Sequence, residues 1–227
     1  SQVLLQKASR EGEPSERSEF HRKRAIVALR LGQVRMACDS IAAALDVYPE
    51  SLSALELLVS LAARRHLPYD FAPLCRELEK QYRRRDLPHC LARVLCAQAA
   101  LMHPANDLEG VEALLQEAVR LGPHDLLPAE SLAAFYERMR RFDDARAVLD
   151  AFVNQLAQTT QSLDESQRAE LRARALLRLG EICSVAMMNS EQALSVLQAL
   201  LQGEPQPPPA LRREARFRLA QELYVQS

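Results

Sequence analysis

The sequence predicts an all-α fold built as an array of antiparallel helix pairs, and three observations carry that expectation. Apolar residues recur at i, i+3, i+4 and i+7 throughout, while no stretch shows two-residue alternation with β-branched enrichment. Glycines are few, and Gly32, Gly122 and Gly203 each follow an apolar-periodic stretch, where a helix C-terminus accepts a left-handed residue without a Cβ. A helix-pair signature also returns about every 34 residues. Gly32, Ala37, Ile41, Ala44 and Pro49 occupy positions 15, 20, 24, 27 and 32 of a repeat that begins at Ser18. Val111, Leu115, Ala118 and Pro123 keep that register from a start at Ala92, and Leu132, Ala133, Tyr136, Ala145, Leu149 and Phe152 keep it from Leu126, 34 residues later.

In order, helices are expected over 18–31, 34–47, 51–65, 70–84, 88–102, 108–121, 128–140, 142–158, 164–187, 191–201 and 208–225. Asp70, Asp86, Asp107 and the Asp143/Asp144 pair precede or open helices, where a carboxylate accepts from free backbone N–H groups, and Ser162 with Glu165 forms a capping box. Small residues (Ala25, Ala37, Ala99, Ala133, Ala145, Gly180, Ala193) fall where paired helices must approach closely. The second pair departs most from the signature, with Phe71, Cys75 and Leu78 in the usual slots and Pro68 and Pro73 around its turn.

These residues resemble the tetratricopeptide repeat, which sets Leu, a small residue and Tyr on its first helix and Ala, a bulky residue, Ala and Pro on its second. Leu132, Ala133, Tyr136 and Ala145 match well, as do Leu179, Gly180, Ala193, Leu197 and Pro205. The chain departs from the family in having no Trp, and in carrying Arg140 at the turn position usually held by Gly. The resemblance implies one helical-repeat domain over 1–227, a right-handed superhelix with pairs near 18–50, 51–87, 88–125, 126–160 and 164–204. Residues 208–227 then read as the first helix of a truncated repeat and residues 1–17 as the tail of a preceding one, as if the chain were excised from a longer array. Apolar stripes running to both ends could let two copies self-associate.

Composition narrows the function. The chain has 227 residues, 48% hydrophobic and 26% charged, with a formal charge of −1, so no global field recommends nucleic acid or an anionic membrane. No apolar run reaches the 18 or so residues of a membrane span. Five scattered cysteines (Cys38, Cys75, Cys90, Cys96, Cys183) at apolar helix positions fit a reducing cytoplasm rather than a disulfide framework. Only Lys7, Lys23 and Lys80 are lysines among 29 basic residues, which fits a GC-rich, bacterial coding sequence.

No chemistry-bearing motif emerges. His89, Cys96 and His103 share a helix face, but seven residues rise roughly 10 Å, too far for ligands of one metal. No glycine-rich phosphate loop, nucleophile elbow or His-Glu-x-x-His pair occurs, and Cys38, Cys75 and Cys183 sit among apolar neighbours with no base near them in sequence. The expectation is therefore a non-enzyme without metal or cofactor. Arginine clusters at 22–24, 83–85, 138–141 and 212–218 lie beside acids and read as solvated faces, with few aromatic platforms to stack bases. The proline run 205–209 reads as a stiff inter-repeat loop.

The resemblance further implies that first helices line a concave binding face. By register the lining comprises Arg22 and Ile26, then Ser53, Glu56, Ser60, Ala63 and Arg64, then Arg93, Cys96, Ala100 and His103. It continues with Glu130, Ala134, Glu137 and Arg138, then Arg174, Leu177, Glu181 and Ser184. Relatives that clamp a peptide's C-terminal carboxylate use Asn and Lys at several such positions, and neither residue stands there here. Arg22, Arg64, Arg93 and Arg138 could instead give forked contacts to carboxylates, so a protein or peptide partner with acidic character is expected. The function expected is a protein-binding scaffold or adaptor; the alternative is a sensor array that binds a peptide or small ligand and signals to an attached effector domain.

Overall fold

The computed structural model describes residues 13–64, 69–102, 107–158, 163–203 and 206–226. Among these residues every regular element is helical. The chain divides into two compact units, Ser1–Gly122 and Pro123–Ser227.

The first unit holds α1 (Pro14–Arg30), α2 (Val34–Val47), α3 (Leu52–Ala62), α4 (Ala72–Arg85), α5 (Pro88–Leu101) and α6 (Leu108–Leu121). The second holds α7 (Leu126–Arg138), α8 (Phe142–Gln158), α9 (Glu165–Glu181), α10 (Ser190–Gln202) and α11 (Pro209–Gln226). Starts are set by side chains that accept from free N–H groups. Ser51 accepts from Ala54, Asp107 from Gly110, Asp125 from Leu127, Asp164 from Gln167 and Asn189 from Gln192. Prolines open α1, α4 and α5, where no N–H partner is lost. Ser162 lies outside the described residues, and Asp164 is the residue that caps α9. Asp86 differs from expectation: it ends α4 in the left-handed region, φ 53°, instead of opening α5.

The second-helix slots form the core. Ala37, Ile41 and Ala44 are buried, as are Phe71, Cys75 and Leu78; Val111, Leu115 and Ala118; Ala145, Leu149 and Phe152; and Ala193 and Leu197. Each large aliphatic member contributes on the order of 1.5–3 kcal/mol by leaving water. Ala25, Ala99 and Ala133 are buried opposite them on first helices. A Cβ added at Gly180 would sit 3.3 Å from Leu197, so α9 and α10 approach closely enough to favour a bare Cα.

Within each unit the pairs α1/α2, α5/α6, α7/α8 and α9/α10 pack antiparallel. First helices also lie side by side, α1 on α3 and α3 on α5 in one unit, α7 on α9 and α9 on α11 in the other. The second pair is splayed: α3 and α4 each pack on α5 in preference to each other. The Tyr82 hydroxyl donates to the Pro49 carbonyl and anchors α4 to the turn before α3. Phe71 is fully buried at that junction.

Turns repeat one geometry. Gly32 at φ 70° and Arg140 at φ 58° occupy the same repeat position, and each is followed by an N–H that reaches five residues back, Gln33 to Ala28 and Arg141 to Tyr136. Gly122 and Gly203 also follow helices but keep negative φ. The expected helix to 187 instead ends at Glu181 and continues as a π-helical turn, Ile182–Ala186, closed by Met188 at φ 52°. Pro207 is buried, as suits an inter-repeat loop.

Candidate functional site

In the first unit the wall of first helices is built on α1, α3 and α5. Arg22 is not free for a ligand. Its Nε lies 2.6 Å and its Nη2 2.7 Å from the two oxygens of Glu19, a forked pair on one turn of α1. That bond, set against some burial and aided by the charges of Glu19 and Glu56, holds the guanidinium pKa above its ordinary value. Arg93 is only 14% exposed along its side chain; its Nη1 donates to the Leu52 carbonyl at 2.6 Å and stands 3.9 Å from Glu56. It ties α5 to the start of α3. Glu56, Ser53, Ser60, Ala63 and Arg64 are exposed, and Ile26 and Ala100 are half-buried.

Cys96 departs from the expected lining. It is 1% exposed, because α5 is packed by α3, α4 and α6 around most of its circumference. His103 lies outside the described residues.

In the second unit α7, α9 and α11 carry a ladder of ion pairs. Arg178 joins Glu137 on α7 and, at 2.7 Å, Glu181 on its own helix. Arg218 on α11 stands 3.7 Å from Glu181, 2.8 Å from Glu214, and donates to the Leu177 carbonyl at 3.5 Å. Ser184 bonds Glu222 at the far end. Burial works against the charge of Arg178, yet the bond to Glu181 and the charges of Glu137, Glu181 and Glu130 outweigh it and raise its pKa. Leu177 is buried, and Glu130 and Ala134 are half-buried. Arg138 is exposed, with its Nε 3.3 Å from the Ala134 carbonyl, and exposed Arg174 pairs with Glu170 at 2.6 Å.

Exposed lining side chains stand at 53, 56, 60, 63 and 64 in the first unit and at 138 and 174 in the second. Nucleophilic chemistry finds no support in the thiols: all five are buried, burial pushes Cys38, Cys90 and Cys183 up, and Cys75 reaches about 12. Among the described residues no three His, Cys, Asp or Glu side chains gather as a metal site, and no helix is long and apolar enough to cross a membrane.

No family model matches the chain, and no curated protein matches it. Among solved structures it is similar to TTC0263, a thermophilic TPR protein of Thermus thermophilus, at 18% identity and a TM-score of 0.50. The match covers 91% of this chain and 99% of that one. The fold is that of the tetratricopeptide repeat. At this identity the likeness establishes fold alone, and the function must be argued from the residues.

Within that tetratricopeptide-like frame, two of the arginines expected to face a ligand, Arg22 and Arg93, are engaged internally. Three bonds recur at one separation: Arg93 to Leu52, Arg178 to Glu137 and Arg218 to Leu177 each span 41 residues. Each lashes a first helix to the one before it. Arg178 and Arg218 are absent from the expected lining, and their 41-residue span differs from the 34-residue repeat that the sequence displays.

Proposed function

We propose that this chain is a non-catalytic scaffold or adaptor that binds an extended or helical segment of a partner protein along the wall of its first helices. The observation behind this reading is the side-by-side packing of first helices in each unit, locked by arginines that bridge neighbours. A preorganised wall of this kind loses little order on binding, which favours affinity for a flexible segment. Ser53, Ser60 and Arg64 in one unit and Arg138 and Arg174 in the other supply its exposed polar positions. With Arg22 and Arg93 engaged internally, acidic preference at the wall rests on Arg64 and Arg138.

Photo-crosslinking tests the assignment. A benzoylphenylalanine residue at Ser60 or Arg174 should trap a partner in the source cells, whereas the same group at exposed Lys80 or Arg120 on second helices should not. Adducts from the second helices alone, or equal yields from both sets, overturn the wall as the binding face.

A further inference from the structure

A second surface of the first unit differs from the wall in its charge balance. A groove between α1 and α2 is lined by His21 and Arg24 from one helix and by Arg35, Met36, Asp39 and Ala43 from the other. Eight arginines elsewhere are tied to carboxylates, at positions 22, 83, 85, 141, 146, 174, 178 and 218. Among the described residues neither Arg24 nor Arg35 has such a bond. Between them His21 buries an Nδ1 atom that has no hydrogen-bond partner. Burial first, then the charges of Arg24 and Arg17, hold that imidazole below its usual 6.5. The lining sets two guanidiniums against one carboxylate and so carries an excess of positive charge. Asp39 is the opposing charge, and Met36 is 41% exposed beside it.

We propose that this groove is a second binding site, which takes an acidic peptide segment whose carboxylate pairs with Arg24 and Arg35 while a neighbouring aliphatic side chain rests on Met36 and Ala43. Guanidiniums grip carboxylates through two parallel N–H bonds. Asp39 and the apolar floor disfavour a continuous polyanion such as a nucleic-acid backbone. The site lies on a different face from Arg22 and Ile26 and stands independently of the wall.

The test uses the whole chain and a fluorescein-labelled Glu-Leu-Glu-Glu-Leu-Glu peptide, read by anisotropy at low salt. Saturable binding is expected, weakened about tenfold in R24E/R35E and also in R24Q/R35Q, and unchanged in K80Q/R120Q, which removes as much positive charge from exposed second-helix positions. The glutamine-for-glutamate peptide should not bind. By NMR, saturation with the acidic peptide should raise the pKa of His21, so affinity grows as pH falls from 7 to 5. Absent binding, wild-type affinity in both double variants, an unmoved His21 titration, or displacement by oligothymidylate overturns the proposal. Loss of binding in R64A/R138A alone would assign the peptide to the wall instead.

Discussion

Replacing Arg178 with Met removes the central rung of the ladder while keeping most of its apolar stem. The side chains of Arg178 and Glu137 are 27% and 21% exposed, so their bond lies between two regimes. Exposed ion pairs are worth roughly 0.2–1 kcal/mol, and hydrogen bonds to charged groups about 1.5–3 kcal/mol. A coupling of about 1–2 kcal/mol between Arg178 and Glu137 follows, read from a double-mutant cycle with E137Q. R178M alone should cost about 2 kcal/mol, because it also strands a mostly buried carboxylate. For a chain of this size that is a fall in Tm of about 4–8 °C. Urea unfolding followed by circular dichroism supplies the stabilities, and amide exchange should show the loss concentrated in α7 and α9. A coupling below about 0.3 kcal/mol, or faster exchange confined to the first unit, would refute the idea that this arginine locks the wall.

Other perturbations probe the frame. Arg140 holds φ 58° where the first pair has Gly32, so R140G should raise stability by about 0.5–1 kcal/mol in thermal unfolding; a loss would show the left-handed turn to be unstrained. G180L must displace Leu197, already 3.3 Å from the added Cβ, and should cost upwards of about 2 kcal/mol with α10 exchanging fastest; wild-type stability would refute close approach there. Thiol titration with an aromatic disulfide at pH 8 should label none of the five cysteines quickly in the native chain and all of them in urea, and rapid native labelling of Cys75 would contradict its burial. Acid should destabilise the first unit. Folding lowers the pKa of Glu19 from 4.5 through its bond to Arg22; it lowers that of Glu79, where burial is outweighed by Gln98 and Arg83, and it lowers that of His21 from 6.5. Each contribution is complete above the unfolded value and fades as pH drops through the folded one, so H21Q should flatten the stability profile just below pH 6.5.

The legible and illegible parts of the chain divide by the range of the interactions. Ala37, Ile41, Ala44 and their counterparts could be read because a buried helix stripe is written in residues three or four apart, and all of them are buried. Arg140 at a turn reserved for glycine was visible for the same reason, since the turn is local. The bonds of Arg93, Arg178 and Arg218 were hidden because they depend on how far one first helix slides along the next, a quantity set by connection lengths such as 63–71. Cys96 was misplaced although a signal existed. Apart from its ends, α5 carries only Arg93 and Gln98 as polar residues, and a helix apolar on nearly every side is an interior helix, not a wall face. The π-helical turn at 182–186 left no such trace; Val185 within it and Met188 just beyond it are 74% and 89% exposed, so hydrophobicity there predicted helix where packing did not need it.

A division of labour between the two helices of a pair follows. Second helices commit Ala, Leu and Phe to a core that tolerates little change, since each deleted buried methylene costs about 1 kcal/mol. First helices use only part of their outward surface on one another: Arg93 and Arg178 bridge neighbours, while Ser60, Arg64, Arg138 and Arg174 bridge none. Substitution at those exposed positions comes at almost no cost to the fold, usually within about ±0.5 kcal/mol. On the proposed reading partner choice resides in residues that stability does not constrain, and swapping Ser60, Arg64, Arg138 and Arg174 for other polar residues should redirect binding while leaving the unfolding midpoint in place. A midpoint that moved with specificity would mean that recognition and packing share residues, and the wall would then be a structural seam rather than a binding face.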